Sequence, residues 1–542
     1  MKWFPRTWPS SFLLRTLLQC VVLAGYGLLA LILLAGILIA AFQIPSVSGW
    51  AFRTFLKVGF EAFPESYPPQ VAGPLPALDP EIPLESKQAS DLFQWDHVWK
   101  AHLHFTSNQW ANLSPINIPA KPGGLSPQQT LRNPKAVRSG LLGVIGWDLP
   151  WSEAETFTFQ GIPFDQPRVR YKGNGTFLES KDRYKRSFKI DLNTEMDGSK
   201  LVDQGTVNLH SLSADRTRMS DALGYAYFKQ IGIPSPRTCY VDLTLSIEDA
   251  LPPSHLGLYL MVEKPSAQWL SSQWHQKGGA VLKPVTMRLF EYLGDAWDTY
   301  EGIYDPKTAL SDAQKQHLLA TFRWFNQPEE PSFQEGWPAY FDMPSVARFF
   351  AAQVLLSNYD GILFNGQNFL MTLAPETHLI SFAPWDLDHC WGEFPLTGSP
   401  SERIHASIRE PWIGEQFFVE RLFESILFQE LYLEALQNQL NTSFKTEHWS
   451  EVMDGLAPML RPVIAHEPAP FPDAFEIAQQ AKPVAQKSVD NPMDPNRPVH
   501  QIKVFISERR KSVLAQLEGS EVGEIIHFEM GRASKDDPAV EP

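Results

Sequence analysis

Cysteine is nearly missing from this chain: Cys20, Cys239 and Cys390 are the only three in 542 residues. That excludes a disulfide scaffold and a four-cysteine zinc site, and leaves Cys239 with Cys390 as one conceivable pair. Positive charge is also in deficit. Lys and Arg number 46 against 61 Asp and Glu, a formal net charge of -15, so no overall positive field gathers phosphate backbones and nucleic acid is not the expected partner. The chain has no Gly-x-Ser-x-Gly elbow, no Gly-x4-Gly-Lys-Ser/Thr phosphate loop and no His-Glu-x-x-His, which removes the reaction classes those motifs carry. What is present describes a folded protein. Hydrophobic residues make up 44% and charged residues 20%, and 45 Pro, 17 Trp and 35 Phe point to long loops between aromatic-rich elements. The length suggests two to four structural units.

One long apolar run stands out. Residues 16–42 carry no charge and exceed the roughly 20 needed to cross a bilayer as a helix. A cleaved signal peptide has a shorter apolar core, about 7–15 residues, so the run predicts a retained single-pass anchor. Lys2, Arg6 and Arg15 precede it, and Arg53, Lys57, Glu61 and Glu65 follow. The positive-inside bias then predicts a cytoplasmic N-terminus with the body outside the cytoplasm.

The expected organisation is an anchor over 1–45, a Pro-rich linker over 46–90, a β-rich leading region over 91–160 and a core over 161–430. A helical C-terminal region with a Pro-rich loop covers 431–530, and a disordered tail 531–542. Within the core, 168–192 reads as two basic alternating strands around a Gly-containing turn, followed by a helix over 217–230. Residues 238–247 and 256–262 alternate as a hairpin, and 344–357 form a buried helix opening on Pro. Near the end, Ile502, Phe505, Ile506, Val513, Leu514 and Leu517 make one helical stripe. The fold class is therefore α+β.

The stretch 358–392 carries the chemistry, because its polar groups sit at the ends of apolar segments rather than on a solvated face. Asp360 follows the buried helix, Asn365 and Asn368 open a strand, and a second strand delivers Asp386 and Asp388. A hairpin would bring both ends together. Carboxylates and amide carbonyls suit a hard Mg²⁺ or Mn²⁺ that bridges phosphate oxygens, which makes phosphoryl transfer the natural reaction. Asp360 and Asn365 also have the five-residue spacing of a kinase catalytic loop, although the His-Arg before the Asp and the Phe-Gly after the second Asp are absent.

In order, RYKGNGTF, KRSFKIDL, GLYLMVEK, NYDGILFNGQNFL and PWDLDHCWG resemble the motifs of the CotH kinase family, named for spore coat protein H. The similarity runs over about 168–420, with ISERR near Arg509 similar to the family's closing helix. The resemblance implies an atypical two-lobed protein-kinase-like fold that transfers phosphate from ATP to protein hydroxyls with Mg²⁺ or Mn²⁺. It makes Asp360 the catalytic base and Asp386 a metal ligand. Asn368 fits the family's metal-binding Asn by position, Asn365 by kinase spacing, and both stay open. Asp388 either binds a second metal or holds the loop. Arg170, Lys172 and Gly173 would lie near the phosphate-covering strands, Lys189 would pair with phosphate with Lys185 as its rival, and Glu263 would fall near the nucleotide.

Plainer readings stand beside these. A strand rich in Lys and Arg is commonly a solvated edge, and Gly173-Asn174-Gly175 is a strong turn signal by itself. His102 and His104 share a strand face but lack a third ligand at suggestive spacing, and His389 and Cys390 read as packing or support. The protein substrate is not legible. The alternatives are a catalytically inactive CotH-like envelope scaffold or binding protein, and transfer of a nucleotidyl group instead of phosphate.

Overall fold

In β1 (Val98–Phe105) the side chains of Trp99, Ala101, Leu103 and Phe105 are buried while Lys100, His102 and His104 are half-buried, the period-two pattern of a strand with one covered face. The computed structural model describes residues 89–117, 142–143, 146–180, 183–192, 200–327, 331–467, 473–486 and 498–527. Two short strands, β2 (Ile116–Asn117) and β3 (Trp147–Asp148), pair with each other. The main sheet is built from β1 with β4 (Ser152–Glu153), β5 (Thr156–Phe159), β6 (Ile162–Asp165), β7 (Arg168–Tyr171), β8 (Phe188–Asp191), β9 (Thr206–His210), β10 (Thr238–Ile247) and β11 (Leu251–Val262).

The strand order is β4-β7-β8-β9-β11-β10-β1-β5-β6. Among the described residues β1 and β10 are its one parallel pair. The two ends of that order are halves of one interrupted hairpin. β4 runs on into β5, Gln160 and Gly161 turn the chain with positive φ, and β6 runs on into β7. The sheet therefore curls until its ends meet, and Trp110, just beyond β1, packs 5.9 Å from Tyr171 of β7. Alternation assigns its two faces. Val241, Leu243, Tyr259 and Met261 point into an inner core with Phe157, Val169 and Phe188. Tyr240, Leu258, Leu260 and Val262 point outward, onto the helix Ser220–Gln230 and the larger helical core.

That larger core surrounds a second sheet, β12 (Ala280–Leu282), β13 (Phe369–Leu373) and β14 (Ile380–Pro384), antiparallel in that order. Against β14 and the helix Ile426–Thr442 lies the helix Met343–Leu355. Asp342 caps it by accepting the Ser345 N–H, and Pro344 occupies its first turn. The helix Ile502–Glu518 closes the structure. From it the buried Arg509 donates to the carbonyls of Ile404 at 2.9 Å, Ala406 at 2.6 Å and Val354 at 2.9 Å, tying two other segments to the closing helix through one guanidinium.

The α+β class holds, and several local expectations are corrected. β7 and β8 pair as expected, Arg170 opposite Lys189, but their connection contains a short helix, Gly175–Ser180, beginning just after Gly173 at φ +93°. His102 and His104 both hydrogen-bond the Ser246 hydroxyl, at 2.7 and 2.8 Å, so a neighbouring strand satisfies them. Cys239 and Cys390 are buried and unpaired with each other. The single-pass membrane reading is also corrected. Among the described residues no helix is long and apolar enough to cross a membrane, and the run 16–42 on which that reading rested lies outside them, as do the tail 531–542 and nearly all of the linker 46–90.

Candidate active site

Two loops form the site, one before β13 and one after β14. The first follows the helix Met343–Leu355, where Ser357 turns the chain at φ +42°. Gly366, at φ +64°, accepts the Thr286 N–H at 2.9 Å. A Cβ there would collide with the Thr286 carbonyl, so only glycine lets the loop lie flat against this segment. Gly366→Ala is therefore expected to cost about 2–4 kcal/mol through clash and left-handed strain. Its urea denaturation midpoint checks this, and a midpoint equal to wild type would show that the loop can move aside.

Pinned in this way, the loop points Asn365 and Asn368 at Asp360. Each donates its side-chain amide to the Asp360 carboxylate, Asn368 at 2.9 Å. The sequence left these two asparagines as alternatives, and the structure brings both to the same aspartate. The Asn365 Oδ1 is buried with no hydrogen-bond partner among the described residues. Burial pushes the Asp360 carboxyl above its usual range, with Asp386 adding to the rise and His389 and Asn365 opposing it.

The second loop is held by the helix Ser220–Gln230. Asp386, at φ +56°, donates its N–H to the Tyr225 hydroxyl at 2.9 Å, and the Leu387 N–H donates to Asp221 at 2.9 Å. Gly224 lets the loop approach, since a Cβ there would lie 2.8 Å from Leu387. The Asp386 Oδ1 is 3.8 Å from both Lys172 Nζ and His210 Nδ1. His210 bridges Asp221 at 2.7 Å and Lys172 at 2.5 Å. Burial disfavours the Asp386 charge, but Lys172, His210, Lys283 and His389 outweigh it and hold the carboxyl down at about 2.

Asp360, Asp388 and His389 each place one ligand atom within 4.8 Å of the others. Burial lifts the Asp388 carboxyl well above its usual range, with Asp386, Asp221 and Asp360 adding to the rise against His389. For His389, burial lowers the pKa, yet Glu393, Asp388 and Asp360 outweigh it and raise it well above normal. The donor set fits a divalent cation: acidic oxygens in excess, an imidazole, and an orphaned buried amide oxygen at Asn365.

Cations gather around Trp385, next to Asp386. Lys172 and Lys283 lie over the Trp385 ring, 5.0 and 5.5 Å from its centroid. Burial brings Lys283 down to about 8, with Lys172 and Lys307 assisting and Asp386 opposing. Burial likewise lowers Lys189 to about 8, with Lys264, Lys307, Arg170 and Lys172 repelling its charge. Arg170 stacks on Trp151 at 5.4 Å and lies 3.8 Å from Asp148. Lys172, Lys189 and Arg170 thus belong to one basic cluster, with Gly173 in the loop just after β7.

Two predicted residues go elsewhere. Residues four apart on a continuous strand share a face, but β8 begins only at Phe188. Lys185 instead leaves irregular backbone and pairs with Glu467 at 2.7 Å. That carboxylate also takes Arg218 at 2.9 Å and the Leu258 N–H at 2.7 Å, which makes a buried structural network. Glu263 is buried and gripped by the Arg237 guanidinium, Nε at 2.9 Å, so it buttresses the end of β11. Sequence reasoning missed Lys283, His210 and Asp221. Lys283 carried the same signal as Asp386, a polar residue closing an apolar strand, in AVLK.

A family model described as CotH kinase protein matches residues 169–513, from β7 through most of the closing helix and more than half of the chain. No curated protein matches it.

Proposed function

The chain belongs to the CotH kinase family, and on that premise we propose that it is an atypical protein kinase moving the γ-phosphate of ATP to a protein hydroxyl. In this reading the curled sheet and the helical body act as the two lobes of a kinase-like fold, with the site at their junction. The observation that carries it is that Asp360 and Asp388 meet with His389, while Asp386, whose charge acts on both of those carboxylates, meets Lys172 and Lys283, from segments far apart in sequence.

Each group has a role that follows from its surroundings. Asp360 accepts the proton of the acceptor hydroxyl. Its raised pKa makes it the stronger base while ionised, and Asn365 and Asn368 fix its orientation. Asp386 stays ionised because of its cationic neighbours, which suits it to hold Mg²⁺ or Mn²⁺ with Asp388 and the Asn365 or Asn368 amide oxygen. A bound divalent ion would neutralise phosphate charge and align the transfer. Lys172, Lys283 and Lys189 take the remaining polyphosphate charge, and positioning with charge neutralisation does most of the catalytic work.

The test is label transfer to a generic protein acceptor, run in parallel with γ-labelled and α-labelled ATP. The reading expects label from the γ position only. Label from the α position would mean nucleotidyl transfer, and no label from either would favour a binding protein without activity.

Nucleotide affinity should also fall in alkali. Lys283 and Lys189 are protonated below about 8 and neutral above it, so cationic partners of the polyphosphate are lost as pH rises. KM for ATP is expected to rise between about pH 8 and 9.5, and Lys283→Arg, which stays charged, should flatten that rise. A KM independent of pH in wild type would remove the lysines from phosphate binding.

A further inference from the structure

We infer that His389 is a direct metal ligand through Nε2, and that this imidazole makes the site one for Mn²⁺ in preference to Mg²⁺. The inference rests on the reading above, that Asp386 and Asp388 hold a divalent ion, and it concerns which ion and by which atoms. His389 shares a space 4.8 Å across with ligand atoms of Asp360 and Asp388. Its Nδ1 is engaged by Glu393 Oε2, which leaves Nε2 as the nitrogen that meets an ion. A carboxylate on the far ring nitrogen is the usual support of a metal-bound histidine, since it fixes the tautomer and the ring plane. Phe394 sets that plane further, edge to face with centroids 5.4 Å apart.

The acidic groups alone would not require an ion here. The independent sign is the Asn365 Oδ1, buried and without a hydrogen-bond partner among the described residues, on the side chain that donates to Asp360. A cation or its bound water would satisfy it. The donor set then selects the ion. Mg²⁺ takes oxygen ligands and keeps its waters, whereas imidazole nitrogen moves affinity toward first-row transition ions. Among those, Mn²⁺ shares the preference of Mg²⁺ for carboxylate and water oxygens. The opposing possibility is that His389 serves only as a cation neutralising Asp360, Asp388 and Glu393.

The experiment uses the untagged full-length chain with Mn²⁺ alone and no nucleotide. Electron spin-echo modulation should show a directly bound imidazole nitrogen, and competition should show Mn²⁺ held about tenfold or more tighter than Mg²⁺. His389→Asn should lose the nitrogen coupling and bring the two ions within about threefold of each other. Glu393→Gln should weaken Mn²⁺ about 10–100-fold. Bound Mn²⁺ without nitrogen coupling, or no Mn²⁺ binding, overturns the inference, and the wild-type spectrum decides this even where a variant fails to fold. The two readings fail separately. Phosphate transfer with an all-oxygen Mn²⁺ spectrum sinks only the His389 assignment, and imidazole-bound Mn²⁺ in a protein that transfers nothing sinks only the kinase reading.

Discussion

Asp360→Asn is expected to lower kcat for phosphate transfer by about 10²–10⁴-fold, the usual contribution of a positioned general base, while KM for ATP stays within about threefold of wild type. The substitution keeps the shape and removes the proton acceptor. It also places an amide donor against the two donors that Asn365 and Asn368 aim at this position. Asn365 can relieve that conflict by turning its amide, since its Oδ1 has no other partner among the described residues. The variant should therefore fold, with a melting temperature near that of wild type. Steady-state kinetics on the purified chain check this. Retention of more than about a tenth of wild-type kcat would remove Asp360 from proton transfer.

The largest stability effect is expected far from the chemistry. Arg509 is fully buried, and its guanidinium serves the carbonyls of Val354, Ile404 and Ala406. Val354 lies in the last turn of the helix that leads to Asp360. Arg509→Met keeps the apolar stem but leaves three buried carbonyls without their charged donor. Relief of a buried charge offsets part of that loss, and the expected net cost is about 3 kcal/mol. Urea denaturation followed by tryptophan fluorescence checks this, and a loss under about 1 kcal/mol would mean that water replaces the guanidinium. Because the closing helix and the Asp360 loop share this anchor, a partly folded variant should lose activity before it loses secondary structure.

How much of this was legible depended on distance along the chain. The β13–β14 hairpin could be read because its apolar strands are bracketed by Asp360, Asn368, Asp386 and Asp388 within 29 residues, and local periodicity suffices there. Asn368 was expected as the first residue of the strand, but at φ +57° it is the bend that precedes Phe369. Closure of the curled sheet was not legible. β4 and β5 read as two short segments, and nothing local shows that their continuity joins opposite ends of one sheet. The fate of Lys185 was hidden for a similar reason, since Glu467 is 282 positions away. Lys283 was overlooked because its strand has only three residues, too few for alternation to register.

The most direct test of the central claim is the intact mass of the chain and of a generic protein acceptor after incubation with ATP and Mn²⁺, wild type beside Asp386→Asn. The substitution removes the charge that Lys172, His210 and Lys283 surround. The account predicts one or more added phosphoryl groups, on the chain itself or on the acceptor, with wild type and none with the variant, while both proteins fold. Equal phosphorylation by the two would contradict the assigned site. No phosphorylation by either, with no shift in wild-type melting temperature on adding ATP and Mn²⁺, would contradict the kinase reading itself.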